Sequence, residues 1–535
     1  MSAAEIDPIT LQVLAGGLRA ICDEMGAVLV RAAHSPNIKE RRDCSTALFE
    51  AGGELVMQAE HIPVHLGSMP DAVAAVADRE QSPGDLWILN DPYAGGTHLP
   101  DITLISPLFA GDEEGSHSGT RSGVDGESHL IGWAASRAHH ADVGGPTPGG
   151  MPADSHTLED EGLVIPPRRI DDEGLAELAA SMRDPVQRLA DLRAQRAANM
   201  LGALRLGELI DRRGLELTLG GMAAVLDYAE RRARAAISAL PDGVYGAEDA
   251  LEAADGSAVP LRVEITIGGD AMRIDFAGSA PQVEGNLNCP LPVTRAATIF
   301  ATRVLTDPDA PPSAGAQRPL TISAAEGSVL NAHPGAAVAA GNVETSSRVA
   351  DLIFAALGDV AGGPAQGQGT MNNLTLSGGG SRDSSPFTYY ETLGGGQGAC
   401  SDADGPSGVH VAMSNTLNTP VEALEAELPV RVRRLGLRRG SGGDGRFRGG
   451  DGIVREIEAL APMRFTLISE RRSTGPRGRR GGDDGRPGRD LLNGASLPAK
   501  AEGDLAPGDV LSIETPGGGG YGSYGSRGAR DQECK

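Results

Sequence analysis

The spacing of apolar residues changes near residue 240, and this change restricts the folds open to the chain. Apolar residues recur at helical spacing over residues 8–34, which predicts a long opening helix, and again over residues 185–239, which predicts two long helices broken near residues 214–220. Residues 245–276 alternate instead at the period of strands, and the chain beyond about residue 420 consists of short strands between glycine turns. Separate helical and strand-rich segments predict an α+β fold with several mixed α/β lobes and a β-rich C-terminal lobe.

The same pattern indicates where the lobes meet. We expect residues 1–240 to carry the functional site, 241–419 to form a mixed α/β domain, 420–522 the β-rich lobe and 523–535 a flexible tail. The stretch near residues 110–128 is polar, acidic and glycine-rich, so we expect a solvated loop insertion there. The 75 glycines follow no fixed period, which favours many tight turns and excludes a fibre.

Polar loops stand next to short predicted strands and helix starts. Strands are predicted over residues 86–89, 102–109 and 130–134, and helices over residues 292–305 and 345–357. Each of these two helices begins just after a polar loop. Helix N-termini hold carboxylates and other anions, so both loops are candidate ligand sites.

Charge and hydropathy exclude several classes of protein. The chain has 72 acidic and 47 basic residues, a net charge of -25, and no arginine-rich stripe with interleaved aromatics, which argues against a nucleic-acid surface. No apolar run approaches the roughly 20 residues that span a bilayer, and the first residues lack the features of a signal peptide. We therefore expect a cytoplasmic protein that contacts neither nucleic acid nor membrane.

The five cysteines do not indicate a structural framework. They are odd in number, far apart in the sequence and never arranged as CxxC, which argues against a disulfide scaffold and a thiolate zinc site. The chain also lacks GxxxxGK[ST] and GxSxG, and lysine is scarce. These absences argue against a phosphate-binding loop and a serine nucleophile elbow in this chain.

Two polar loops carry a repeated spacing of histidine and aspartate. The first contains Asp91 and His98-x-x-Asp101, and the second contains adjacent histidines, His139 and His140, followed by Asp142. Loops at neighbouring strand ends converge. A two-His, one-carboxylate metal site would therefore form if the first loop supplied an imidazole and a carboxylate and the second loop supplied an imidazole. Such a set favours manganese, iron or zinc and leaves positions open for substrate. The alternative is that these histidines cap turns and bond to backbone carbonyls.

Motifs in register along almost the whole chain resemble the hydantoinase B/oxoprolinase family. They are DPITLQVL, ERRDCSTALF, HIPVHLGSM, NDPYAGGTHLPDI, SRAHHADVGG, GNLNCP, GNVETSSRVAD, YYETLGGGQGA, MSNTLNTPVEALE, GDGRFRGGDGI and PGGGGYG. The resemblance implies a B-type subunit of an N-methylhydantoinase or 5-oxoprolinase, related to subunits of acetone and acetophenone carboxylases. It also implies an A-type partner subunit with an actin-like fold that uses ATP to activate the substrate.

The resemblance further assigns roles to individual residues. In the carboxylase relatives a manganese ion is held by an HxxD motif and a later histidine, which match His98, Asp101 and His139 here. His140 and Asp142 are then expected beside the ligands, with Asp91 or His140 as the base. A second set is expected to orient the substrate at a predicted helix start: Asn342, Glu344 and Arg348.

The expected reaction is the opening of a lactam or imide ring. The partner phosphorylates the ring carbonyl, and water activated by a divalent metal, manganese first and zinc or iron otherwise, attacks the activated carbon. Two alternatives stay open at this point. The chain could belong to an ATP-dependent ketone carboxylase, or it could be a non-catalytic scaffold for the A-type subunit.

Overall fold

The structure is a computed structural model that describes residues 6–65, 67–110, 129–379 and 386–523. The insertion expected near residues 110–128 lies outside the described residues from residue 111 onward, and so does the expected tail after residue 523. In the described part, helices combine with several separate sheets, which confirms the α+β class. No helix within those ranges is both long and apolar enough to cross a bilayer.

The elements have the following bounds. The helices are α1 (Pro8–Ala32), α2 (Pro36–Lys39), α3 (Met69–Ala77), α4 (Asp172–Ala180), α5 (Pro185–Arg213), α6 (Leu215–Ser238), α7 (Leu291–Thr306), α8 (Ser346–Ala361) and α9 (Val421–Glu427). The strands are β1 (Cys44–Glu50), β2 (Leu55–Glu60), β3 (Trp87–Leu89), β4 (Asp101–Ala110), β5 (His129–His139), β6 (Arg168–Arg169), β7 (Gly243–Glu252), β8 (Ala258–Gly268), β9 (Ala271–Asp275), β10 (Leu320–Ser323), β11 (Asn373–Gly378), β12 (Phe387–Glu391), β13 (Val430–Arg438), β14 (Gly452–Ala459), β15 (Met463–Ile468), β16 (Arg489–Leu492), β17 (Ala495–Leu497), β18 (Lys500–Leu505) and β19 (Val510–Glu514).

The first sheet has the strand order β2-β1-β5-β4-β3-β6 and carries helices on both faces. Helices α1, α5 and α6 cover one face and bury Leu14, Met25 and Ala134, while α3 covers the other and packs near Trp133. Successive residues of a strand point to opposite faces, so alternate residues of β5 enter different cores. This alternation decides the direction of the histidines at the end of β5.

Helix α1 begins where the sequence predicts it. The side chain of Asp7 accepts hydrogen bonds from the backbone N–H groups of Ile9 and Thr10, and Pro8 is the first helical residue. Gly202 of α5 allows α1 to approach closely, because a Cβ there would lie 2.6 Å from Sδ of Met25. The close packing of α1 on α5 therefore depends on a residue without a side chain.

Three further sheets pack in separate cores. The sheet β10-β9-β8-β7 shares its core with α7 and α8. The sheets β12-β11-β15-β18 and β13-β14-β19-β16-β17 enclose a separate core. Strands β11 and β12 precede residue 420 but pair in the same sheet as β15 and β18, so hydrogen bonding crosses the boundary expected there. The domain limits themselves stay a prediction.

The glycine runs of the C-terminal third pack backbone against backbone. A Cβ on Gly518 would lie 2.0 Å from the carbonyl oxygen of Gln397, and one on Gly449 would lie 2.0 Å from that of Gly518. Atoms do not approach this closely without displacement, so these positions admit no side chain. The motif PGGGGYG therefore serves close packing of loops between the sheets.

Two predicted boundaries differ from the structure. Strand β5 was expected to end at residue 134, but it continues to His139 because β1 and β4 pair with it on either side. The segment taken as a loop from residue 136 is therefore strand up to His139. Helix α8 is preceded by a π-helical turn, Gly341–Thr345, which brings buried polar residues to its start.

Candidate metal centre

Asp101 and His139 lie at the centre of the site because the sheet register places them side by side. Asp101 is the first residue of β4, and His139, the last residue of β5, is its direct partner in the antiparallel ladder. Side chains opposite each other in such a pair project from the same face of the sheet. The loop from β3 to β4 adds His98 three residues before Asp101, so spacing and register together assemble the cluster.

The three side chains meet through atoms suited to metal binding. Nε2 of His98 is 3.1 Å from Oδ1 of Asp101, and Nδ1 of His139 is 3.2 Å from the same oxygen. The two imidazole nitrogens are 3.2 Å apart, and the three donor atoms lie within 4.8 Å of one another. Two nitrogens and one carboxylate oxygen, all buried, fit the donor set that manganese, iron or zinc accepts.

The electrostatics of the cluster favour a negatively charged Asp101 beside a neutral His139. Burial by itself raises the pKa of Asp101. The nearby His98 and hydrogen bonds from His139 and His65 outweigh that effect, so the pKa lies well below its usual range. Burial lowers the pKa of His139 to about 4, against a smaller opposite effect of Asp101. Metal ions bind the deprotonated carboxylate and the neutral imidazole, which are the forms that these shifts favour for Asp101 and His139 at neutral pH.

Further side chains hold the three donors in place. Oγ1 of Thr97 donates to Oδ2 of Asp101 at 2.6 Å, and Nε2 of His65 lies 3.4 Å from the same oxygen. The ring of Tyr390 stacks on that of His139 with centroids 4.5 Å apart, and its hydroxyl donates to Asn373 Oδ1 at 2.7 Å. These contacts orient the cluster from segments far apart in the sequence.

The cluster opens into a pocket with both polar and apolar walls, whose empty space, together with the open solvent at its mouth, is about 320 Å³. Asn342 lies near the cluster, since its Nδ2 is 3.5 Å from Oδ2 of Asp101, and its Oδ1 has no partner among the described residues. The pocket is lined by Asp43, Ile62, Val64, His65, His98, Asp101, His139, Asn342, Val343, Met371, Tyr390, Thr392, Met413, Ser414 and Thr416.

Asp43 is a buried carboxyl group in this pocket that the sequence interpretation missed. Burial, together with the charge of Asp101, raises its pKa to about 7, and Arg41 opposes this shift. It stands in the motif ERRDCSTALF, directly before β1, and its carbonyl oxygen accepts from the backbone N–H of His139. Its place in a motif was the only signal available, because its approach to the metal cluster depends on the pairing of β1 with β5.

His140 and Asp142 do not line the pocket. His140 follows His139 in sequence, so it points to the opposite face, where its Nε2 lies 2.8 Å from Oε1 of Gln195 on α5. The carboxylate of Asp142 accepts from the backbone N–H groups of Gly144 and Gly149, at 2.8 Å each, and from Arg183. Their expected catalytic roles stay predictions, but these contacts account for both side chains structurally.

Asp91 also lies outside the pocket lining. Its Oδ1 accepts from the backbone N–H of Tyr93 at 2.9 Å and caps a short 3-10 turn. That contact is a usual role of an aspartate at the start of a turn. Its expected role as a base stays a prediction.

Of the three residues expected to orient substrate, Asn342 alone lines the pocket. Oε1 of Glu344 accepts from the backbone N–H of Met371 and from Asn373, and burial followed by the charge of Glu470 raises the pKa of Glu344 to about 7. Arg348 forms buried ion pairs with Asp249, at 3.5 Å, and with Glu470, at 3.3 Å. Those pairs join α8 to β7 and to the C-terminal strands.

The geometry defines a protein with a buried two-His, one-carboxylate centre at the base of a small pocket, and comparisons with known proteins place it more closely. The profile of the Hydantoinase B/oxoprolinase family matches residues 7–524. The 5-oxoprolinase of Saccharomyces cerevisiae is 37% identical over 97% of this chain and 42% of that protein. The putative B-type subunit of a D-/L-hydantoinase from Pseudomonas sp. strain NS671 is 31% identical over 85% of this chain and 78% of that protein. The chain belongs to the hydantoinase B/oxoprolinase family.

Solved structures share the fold. The crystal structure of ATP-dependent caprolactamase from Pseudomonas jessenii matches with a TM-score of 0.87 at 26% identity, over 97% of this chain and 92% of that one. The nucleotide-free acetone carboxylase structure matches with a TM-score of 0.81 at 19% identity, over 97% and 76% respectively. At that identity the second match establishes the fold alone. Because this chain spans 42% of the yeast 5-oxoprolinase, the activity of that whole protein is not assigned to it directly.

Proposed function

We propose that this chain is the B-type subunit of an ATP-dependent cyclic-amide hydrolase that opens a lactam or imide ring. The observation that carries the proposal is the convergence of His98, Asp101 and His139 on one point beside a pocket. The family includes 5-oxoprolinases and hydantoinase subunits, and a structural relative is named as a caprolactamase. Each of those names describes an enzyme of cyclic amides.

The proposed cofactor is one divalent ion, manganese first and zinc or iron otherwise, held by His98, Asp101 and His139. An ion at that position would polarise a carbonyl oxygen and lower the pKa of water beside it. The fit rests on the chemistry of the three donor atoms. The other ring nitrogens, Nδ1 of His98 and Nε2 of His139, are also buried and have no hydrogen-bond partner in the described chain. His65 and Thr97 would keep Asp101 oriented, because both lie against its second oxygen.

The residues of the pocket supply the proton transfers in this proposal. Asn342 has an unpartnered side-chain oxygen near Asp101, which can accept the N–H of a ring amide and orient the ring. Asp43 takes a proton from the attacking water and returns one to the ring nitrogen as the carbon–nitrogen bond breaks. A pKa of about 7 suits a group that both accepts and donates near neutral pH. Its location in the pocket favours Asp43 over Asp91 and His140.

We also propose that ATP is used by an A-type partner with an actin-like fold. The sequence has no phosphate-binding loop of the GxxxxGK[ST] type. The Pseudomonas relative is named as one subunit of a hydantoinase, and the yeast 5-oxoprolinase is more than twice the length that this chain matches. The carboxylase alternative draws only on the shared fold, so we keep the hydrolase as the proposed function.

The test compares metal content and ring opening in matched variants. Wild type, His98→Ala and the control His156→Ala, an exposed histidine, are purified and analysed for metal by mass spectrometry. Each is then assayed with the A-type partner and ATP on 5-oxoproline and hydantoins. We expect about one ion per chain and ring opening in wild type and control, and loss of both in His98→Ala. If all three proteins contain no metal and support ring opening equally, the metal site is wrong and the scaffold alternative is favoured.

A further inference from the structure

Arg41 is a fully buried arginine in the turn before β1, and it forms no ion pair with a carboxylate of the described residues. Its Nη2 donates to the carbonyl oxygen and hydroxyl of Thr392, at 3.1 and 2.5 Å, and to the hydroxyl of Thr416 at 2.8 Å. Its Nε and Nη1 have no hydrogen-bond partner there. The buried Arg137 has no carboxylate partner either, but each of its three nitrogens donates a hydrogen bond, so Arg41 differs in having two nitrogens without a partner in the described residues. A buried charge without a counter-ion is costly, which points to a missing anion.

The groups that Arg41 contacts belong to the pocket. Thr392, Thr416 and Ser414 all line it. Oγ1 of Thr392 and Oγ1 of Thr416 are 2.8 Å apart, and His410 joins Thr416 through Nε2, at 3.2 Å, to Ser414 through Nδ1, at 2.5 Å. A continuous chain of hydrogen bonds therefore runs from Arg41 along one side of the pocket. We call Thr392, Thr416, His410 and Ser414 the hydroxyl wall.

The hydroxyl wall presents a hydrogen-bond donor in either of its two proton arrangements. Burial, followed by the charge of Arg41, lowers the pKa of His410 to about 3, so its neutral ring donates through one nitrogen and accepts through the other. If Thr416 donates to His410, then His410 donates to Ser414 and the Ser414 O–H is left for the pocket. If Ser414 donates to His410, the direction reverses and the Thr392 O–H is left instead.

Arg41 is the cation beside the wall, and it forms no ion pair among the described residues, although its charge acts on Asp43 two positions away. Glu391, on the strand before Thr392, is bound by Arg455 and by the hydroxyl of Tyr389. Asp43 lines the same pocket but is not ion-paired with Arg41 among the described residues. A donor hydroxyl backed by a buried guanidinium selects an acceptor that carries negative charge.

We propose that the hydroxyl wall binds a negatively charged oxygen of the substrate while the ring lies against the metal cluster. The proposal rests on the proposed function, which places a cyclic amide in this pocket. The oxyanion can be a carboxylate on the ring, which makes the preferred substrate an acidic cyclic amide. It can also be the phosphate group that ATP-dependent activation adds, since both present the same oxygens to the wall.

The test uses two ligands that differ only in the charged group. 5-Oxoproline and 2-pyrrolidinone share one ring, and only the first has a carboxylate; inorganic phosphate is the third probe. Binding to the full chain is measured by isothermal titration calorimetry after removal of metal with a chelator, because a bound ion would attract anions itself. The proteins are wild type, the double variant Ser414→Ala and Thr392→Val, the variant Arg41→Gln, and the control Thr321→Val, an exposed residue of β10.

We expect wild type and control to bind 5-oxoproline about 30-fold more tightly than 2-pyrrolidinone, which corresponds to about 2 kcal/mol. Both wall variants should lose this preference. Should Arg41→Gln fail to fold, as circular dichroism would reveal, the double variant decides. A second outcome also supports the wall. If wild type shows no preference for the carboxylate but binds phosphate, and the variants lose that phosphate binding, the ligand of the wall is the phosphate group.

Equal binding of 5-oxoproline and 2-pyrrolidinone to folded wild type, without phosphate binding, overturns the inference, as does a preference that persists in the double variant. These outcomes are separate from failure of the proposed function. A chain that binds metal and opens rings but shows no preference for an anion overturns the wall alone. A chain that prefers anions at the wall but holds no metal overturns the metal centre alone.

Discussion

Asp101 and His139 are direct partners in the antiparallel pair of β4 and β5, with Oδ1 of Asp101 3.2 Å from Nδ1 of His139. The register of a buried central sheet therefore sets the distance between the two donors, and one loop residue, His98, completes the set. Sites built on strands are held more rigidly than sites built on loops alone.

Substitutions of the adjacent residues His139 and His140 should have different effects on metal binding. We expect His139→Ala to abolish metal binding, because it removes one of three donors. His140→Ala should keep the metal and lose about 1–3 kcal/mol of folding free energy, because it leaves Gln195 without its partner. Metal analysis and urea unfolding of both variants check this. Loss of metal in His140→Ala with His139→Ala unaffected would reverse the assignment.

Asp43→Asn should impair catalysis without removing the metal. The amide cannot accept a proton from water, so we expect kcat for ring opening to fall by about 10²- to 10⁴-fold at unchanged metal content. Asp91→Asn, at the other predicted base, should change kcat little because Asp91 caps a turn. Steady-state kinetics with the partner and ATP measure both. A larger loss in Asp91→Asn would make Asp91 the base.

Asp142→Asn should act on stability. Its carboxylate accepts from Gly144, Gly149 and Arg183, and an amide can replace only one of the two oxygens. We expect a loss of about 1–3 kcal/mol in the free energy of unfolding, with kcat nearly unchanged. Asp154→Asn, at an exposed position, is the matched control. If kcat falls while the urea midpoint stays constant, Asp142 acts in catalysis.

Glu161→Gln should change how stability depends on pH. Burial raises the pKa of Glu161 to about 8, although the N–H groups of Val338 and Ala339 oppose this shift. The folded wild type therefore holds a proton that the unfolded chain releases near pH 4.5, and its stability falls as pH rises from there to about 8.

Glutamine does not titrate, so the free energy of unfolding of the variant does not fall in this way. Relative to wild type it should rise by a few kcal/mol between pH 5 and pH 8. Urea unfolding of metal-free protein at both pH values measures the difference. Glu159→Gln, at an exposed neighbouring position, is the control. An unchanged difference between wild type and Glu161→Gln at the two pH values would show that Glu161 is ionised throughout.

The order of helices and strands could be predicted because it depends on local spacing. The apolar residues of α1, α5 and α6 and the alternation in β7 and β8 are visible within short windows of sequence. The pair His98 and Asp101 could also be singled out, since both stand in one loop. The length of β5 could not, because its last residues are held as strand by pairing with β1 and β4 rather than by their own propensity.

The rest of the site depends on contacts between distant segments. Arg41 meets Thr392, 351 positions away in sequence, and Tyr390 stacks on His139 from the C-terminal side of the chain. No local pattern encodes such pairs, because they exist only after separate cores have packed together. Local spacing thus accounts for the elements and for two of the candidate metal donors. Tertiary packing placed His139 rather than His140 beside them, brought Asp43 to the pocket and put Arg41, which forms no ion pair among the described residues, behind the hydroxyl wall.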